Sequence, residues 1–314
     1  CRIWAELDGE GVMWRGVGYL LLLLAGWAGA AEKYPISVVS NKVPGGYEIV
    51  ARNPGAAVVS LWVDVLEGKN IQSDSPFPRH QVVQPREENL VLAMITPLAA
   101  KEAYSFKLRW RWTPGDTEAQ HDPQATYRLP FADGMRFIIG QAPGGPMITH
   151  KGPESANAVD IPMPEGTPIV AARDGLVVNT ETGYTLTSRH PDAAGKANAI
   201  RLLHADGTLA TYSHLKPGGV LVRLGDQVKA GELIGRSGST GYSSGPHLHF
   251  AVFKPVRTAE GFAQVSLPFR FTVGNPPLVF TPEYGLVVEA VYGRAVQQPV
   301  RSPRVAWPAA DGRK

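Results

Sequence analysis

This chain of 314 residues predicts an all-β fold, an antiparallel sandwich-like domain followed by a second, mostly antiparallel sheet domain. Three observations carry that expectation. The 34 glycines and 27 prolines supply many turns and favour short strands over helices. Apolar and polar residues alternate at period two through much of residues 34–131. Farther on, Ala199 to Leu215 reads as strand, a turn at Ala205-Asp206-Gly207, and strand again. A hydrophobic share of 44% with 19% charged residues is ordinary for globular protein and argues against general disorder.

Along the chain, residues 1–30 are set apart before any fold argument. Cys1 to Val12 precede a plausible start at Met13. From Met13 to Ala31 one basic residue, an apolar run and a small-residue Ala28-Gly29-Ala30 site have the anatomy of a secretory signal peptide, about residues 13–30. Its removal leaves an excess of about four positive charges, which suits an anionic polymer such as cell wall but is too small and dispersed for nucleic acid. The single cysteine, Cys1, leaves with it, so the exported product has no disulfides, and no transmembrane anchor is expected after cleavage.

The first domain is expected over residues 31–132. Tyr47, Ile49 and Ala51 alternate before the turn Asn53-Pro54-Gly55, and Val59, Leu61, Val63 and Val65 line one face of the next run. In Ser105–Trp112, Phe106, Leu108, Trp110 and Trp112 alternate with Lys107, Arg109 and Arg111 until Pro114-Gly115 stops the strand, so one face should be buried and the other wet. Such strands at turn-marked spacing predict a small antiparallel sandwich, immunoglobulin-like in type. A second domain follows over residues 133–275. Residues 276–314 read as an extension, with the Pro- and Arg-rich stretch 298–314 as a disordered tail.

Chemistry gathers in the second domain. If Leu248, Phe250 and Val252 face a core, His247 and His249 share the opposite face, about 6.5 Å apart. The loop Gly235–Pro246 before them carries four glycines, which lets backbone approach a ligand closely. A paired-histidine surface beside such a rim suggests a metal or general-base site; two surface histidines on a half-buried strand are the alternative. Upstream, His150 and Asp160 precede a turn and strand, and His214 stands at the exit of the 199–215 hairpin.

Three motifs in this order, Gly166-Thr-Pro-Ile-Val-Ala-Ala-Arg-Asp-Gly175 after Asp160, Tyr212-Ser-His-Leu215 and Gly245-Pro-His-Leu-His-Phe250, resemble the lysostaphin-like (LytM-type) zinc metallopeptidases over residues 148–255. The resemblance implies that Asp160 and His249 are Zn2+ ligands and that His214 and His247 are unligated catalytic histidines. Most of that family has histidine four residues before the aspartate, where this chain has Ala156; the expectation is that a stretched loop through Gly152 and Pro153 lets His150 swing in as the third ligand, the alternative being a degenerate site with two protein ligands. Two imidazoles and a carboxylate are ordinary zinc ligands, and a catalytic zinc keeps a position open for water. One free imidazole could take the water's proton while the other assists the oxyanion or the leaving amine, with the division of labour left open. The chain has no His-Glu-x-x-His, so the helix-borne glutamate base of the common zincins is ruled out. The family implies hydrolysis of peptide stems or cross-bridges of peptidoglycan, and both glycine bridges and D-alanyl-diaminopimelate links are cut within it. The expectation is therefore an exported, periplasmic zinc endopeptidase; the alternative is a catalytically inactive module that binds cell wall or activates an amidase. His80, His121, His190 and His204 are expected to be solvated bystanders.

Overall fold

A computed structural model describes residues 34–146 and 149–302. The signal segment expected at residues 13–30 lies outside them, as does the tail beyond residue 302. The described residues form 24 strands and one short 3-10 turn, Pro191–Ala193, and no helix among them is long and apolar enough to cross a membrane. The protein is all-β, as its turn-rich composition predicts.

Two antiparallel sheets make the first unit. Ser37–Val43, Gly46–Asn53, Glu87–Pro97 and Ile71–Ser73 pair in that order, and Val59–Lys69 pairs with Arg79–Val83 on one side and Ser105–Pro114 on the other. Their inner faces supply Ile49, Ala51, Leu92 and Ile95 from one sheet and Val59, Leu61, Val63 and Val83 from the other. The period-two reading therefore holds, because side chains of a strand alternate between faces. Gly115 ends the last strand at φ 93°, a backbone conformation that a Cβ would strain.

One expectation fails here. The basic face of Ser105–Pro114 is wet only at Lys107: Arg109 and Arg111 are half-buried, lie over the buried Trp62 ring at 5.0 and 5.8 Å, and Arg109 pairs with Asp64 at 3.2 Å. The strand Gly261–Ser266 of the second unit packs against this sheet, and Arg111 donates to the Glu260 carbonyl. Long cationic side chains cover apolar surface with their stems, so alternation alone does not reveal a second covered face.

The second unit is a sheet ordered Val159–Pro162, His247–Thr258, Leu209–Val220, Asn198–Leu203, Gly175–Glu181, Gln227–Val228. Every pairing along it is antiparallel. Leu248, Phe250 and Val252 are fully buried, with Ile161, Ile200, Leu202, Ala210 and Tyr212 in the same core, so the opposite face of these strands carries the polar residues.

Tyr127, Leu129 and Phe131 belong to this second core although the sequence puts them before its start. We propose accordingly that the boundary lies nearer residue 120 than the expected 132/133. Within the extension, Leu278–Phe280, Leu286–Glu289 and Val300–Arg301 are strands, and Phe280, Leu286, Val288 and Ala290 are buried in the second core. Pairing of Leu286–Glu289 with Arg136–Ile138 on one side and Val300–Arg301 on the other supplies backbone partners that composition does not reveal.

Candidate metal centre

Register brings the first two residues together. Asp160 lies directly opposite His249 across the Val159–Pro162 and His247–Thr258 pair, and Pro162 lies opposite His247. Directly paired residues of an antiparallel sheet project to the same face. His249 Nδ1 stands 3.0 Å from Asp160 Oδ1, and His150 Nε2 stands 3.3 Å from Asp160 Oδ2. The three ligand atoms all lie within 4.8 Å of one another.

These distances fit a divalent ion. Ligands held at about 2.0–2.1 Å from a tetrahedral zinc are separated by roughly 3.3 Å. The donor set, two imidazoles and one carboxylate, also leaves a fourth position. Burial pushes the Asp160 carboxyl up, but hydrogen bonds from His150 and His249 outweigh it and hold the group well below the usual carboxylate range. For His150, burial lowers the pKa while its hydrogen bond and attraction to Asp160 raise it, with a net rise. The Asp160 carboxyl is thus held as a carboxylate, the form in which it can ligate a cation.

The stretched approach of His150 is held from two sides. The Gln141 backbone bridges to Asp160, donating to its carbonyl at 3.1 Å and accepting from its N–H at 3.0 Å. The Gln141 Oε1 accepts from both the Thr149 backbone N–H at 2.9 Å and the Thr149 hydroxyl at 3.0 Å. At the far side, Ser266 Oγ donates to the Pro153 carbonyl at 2.9 Å and accepts from the Asn157 N–H at 3.0 Å. Nδ1 of His150 turns toward the Ala158 backbone without reaching good hydrogen-bond geometry.

The other two histidines face the same place with the opposite nitrogen. His247 Nδ1–H donates to the Gly245 carbonyl at 2.8 Å, which turns Nε2 to the site, 3.9 Å from Asp160 Oδ2. His214 Nδ1–H donates to the Thr240 carbonyl at 2.7 Å, and its ring centroid lies 4.5 Å from that of His247. Regular alternation would point His214 into the core. Pairing of Asn198 with Leu215 and of Ala199 with Ser213 leaves His214 as an extra, bulged residue at φ 64°, and the left-handed backbone turns its ring to the site face. Burial, then the neighbouring His247 and His249, push its pKa down to about 3, so the ring is neutral.

Every site residue named from the sequence therefore converges. Gln141, Thr240 and Ser266 were missed; no spacing or residue type marks them, since each acts through a backbone group or a distant loop. Among the bystanders, His190 is exposed, whereas His80 and His121 are half-buried. His204 corrects the expectation of a solvated ring: it is 2% exposed, hydrogen-bonded through Nδ1 to the Asp174 carbonyl at 2.7 Å, and packed edge-on against Tyr127. A cleft of about 510 Å³ between Pro143, Phe269 and Tyr284 lies away from these side chains and touches the His150 loop only at Asn157.

Residues 154–260 match the family described as peptidase family M23, a range that holds Asp160, His214, His247 and His249 and begins just after His150. An uncharacterized metalloprotease of Buchnera aphidicola is 32% identical over 58% of this chain and 44% of its own length. The glycyl-glycine endopeptidase ALE-1 of Staphylococcus capitis is 46% identical over 37% of this chain and 29% of its own. The peptidoglycan DD-endopeptidase ShyA of Vibrio cholerae is 38% identical over 30% and 19% respectively. The chain spans less than half the length of these relatives.

Proposed function

We propose, from the premise that residues 154–260 are a domain of peptidase family M23, the lysostaphin-like metallopeptidases, that this protein is an exported zinc endopeptidase acting on the peptide part of peptidoglycan. The observation that carries the reading is the convergence of His150, Asp160 and His249 within 4.8 Å, with the two further imidazoles of His214 and His247 turned to the same point. A pure binding module has no need of either free imidazole.

His150, Asp160 and His249 would hold the ion. Zinc supplies Lewis acidity, polarising a scissile carbonyl and making water acidic enough to ionise near neutral pH. The chain's own contribution is proton handling. His247 and His214 each tie Nδ1–H to a backbone carbonyl, so each presents Nε2 as a proton acceptor. The imidazole that takes the proton from attacking water becomes the acid that returns it to the leaving amine. The Gly245 and Thr240 carbonyls fix the tautomer and stop the rings from turning away.

Relatives whose names specify a glycyl-glycine bond and a DD cross-link support the substrate class without choosing the bond. Export rests on the signal anatomy of residues 13–30, and N-terminal sequencing of the secreted product should begin near Ala31. The decisive experiment is incubation of the zinc-loaded protein with intact sacculi and mass analysis of released fragments. New amino and carboxyl termini within peptide stems or bridges are expected. Intact peptides with a full complement of zinc would favour the binding or activating module instead.

A further inference from the structure

We propose that Arg201 is a carboxylate-binding subsite on the sheet face beside the metal centre, so that the preferred peptide carries a free carboxylate; this rests on the peptidase reading.

The placement follows from register. Asp160, His249, Ser213 and Ala199 stand directly opposite one another across four strands. Two residues farther along, the same face presents Ala251, Thr211 and Arg201. Ile200 and Leu202 point into the core, which confirms that Arg201 points the other way, with the metal ligands. Two strand spacings and two residues of rise put the Cα atoms of Arg201 and His249 roughly 12 Å apart, about three to four residues of extended peptide and fewer once the side chain's reach is counted. One row beyond, Phe253, Leu209 and Leu203 are covered by the sandwich. Arg201 therefore lies between the metal ligands and the wall made by the first unit.

Its surroundings do not account for it. The half-buried guanidinium lies over the Phe253 ring, 5.7 Å from the centroid, and makes no hydrogen bond or ion pair among the described residues. Its Nε is buried and unsatisfied. Glu181 is the acid whose charge it feels, but Glu181 Oε1 is engaged by Asn179 Nδ2 at 3.2 Å. Burial lowers the Arg201 pKa, which is the mark of a cation short of a counter-charge. A half-buried guanidinium with a buried, unsatisfied Nε is costly, and its planar fork matches a carboxylate. Glycine bridges carry no side-chain acid, whereas peptide stems do, so Arg201 favours cleavage in stems.

The test uses the zinc-loaded full chain and a matched pair of probes: a D-alanyl-diaminopimelate cross-linked stem dimer with free carboxylates, and the same dimer with those carboxylates amidated. Both Kd and kcat/KM are measured for each. A charge-assisted pairing predicts about ten- to hundredfold tighter binding of the free acid, with the ratio falling toward one in Arg201→Gln and partly restored in Arg201→Lys. Equal binding of the two probes by the unaltered protein, or a ratio unchanged in a folded Arg201→Gln, overturns the subsite. A ratio that behaves as expected without hydrolysis of either probe upholds the subsite and removes the peptidase reading. Hydrolysis with a ratio of one does the reverse.

Discussion

Asp160 carries an imidazole on each of its oxygens, and that bidentate arrangement makes the three ligands interdependent. Replacing His150, Asp160 or His249 by Ala should each abolish zinc retention after dialysis against a mild chelator, together with any hydrolysis. Full retention in a folded His150→Ala would remove that histidine from the metal shell. By contrast His214→Ala and His247→Ala should keep the metal and lose about 10² to 10⁴ in rate, the usual worth of general acid or base help. A loss below tenfold would place that ring outside the chemistry. His204 allows a different measurement because it is remote from the ligands. Burial of its ring lowers its pKa to about 4, so between pH 6.5 and 4 the unfolded chain takes up a proton that the folded chain refuses. Its stabilising effect is present above pH 6.5 and is lost as the pH falls, by up to about 1.4 kcal/mol per pH unit. Urea melts near pH 7 and near pH 5 should show a shallower pH slope in His204→Gln than in the unaltered protein.

Two elements bend the general rules to build the site. The first is the bulge at His214, where a non-glycine residue accepts a left-handed backbone that costs about 1–2 kcal/mol and is held by the Thr240 carbonyl. The second is the long loop from Thr149 to Asp160, which does by hydrogen bonds what a shorter spacing does by covalent reach. Gln141 joins its two ends, backbone to Asp160 and side chain to Thr149. Gln141→Leu should therefore weaken zinc binding about 10- to 100-fold in a chelator competition, the scale seen when outer partners of metal ligands are removed, with little change in melting temperature of the metal-free chain. Gln141→Glu keeps an acceptor at the same place and should recover most of that affinity. If Leu and Glu behave alike, the Thr149 anchor is immaterial to His150.

On the scale of the whole molecule, the two units share apolar surface. Leu203, Leu209 and Phe253, on the face of the second unit's sheet that also bears Asp160 and His249, pack into the core of the sandwich with Val59 and Leu61. Electrostatic and backbone contacts add to it: Arg257 pairs with Glu118, and His80 Nε2–H donates to the Thr258 carbonyl at 3.2 Å. Leu209 is 1% exposed, so Leu209→Ala should cost about 2–5 kcal/mol. The loss should appear in both units, because fluorescence of Trp62, Trp110 and Trp112 in the sandwich should fall at the same lowered temperature that releases zinc. A sandwich transition that stays where it was would show that the units unfold independently.

Local pattern was sufficient wherever the cause was local. Period-two alternation placed Ile49, Val59, Leu61 and Leu248 in cores, turn residues marked strand ends, and the family resemblance of the motifs around Asp160, His214, His247 and His249 implied one site. What alternation could not supply is the second surface that covers a strand. Trp62 under two arginines, the buried His204 and the ordered strands after residue 276 all depend on partners far away in sequence. The same holds at the metal centre. Sequence spacing left His150 at an unusual distance from Asp160, and only tertiary structure closes the gap, through Gln141 on one side and Ser266 on the other. Residue type and period record what a side chain prefers; which backbone group or ring meets it across the fold is decided by register and packing, which no short window of sequence contains.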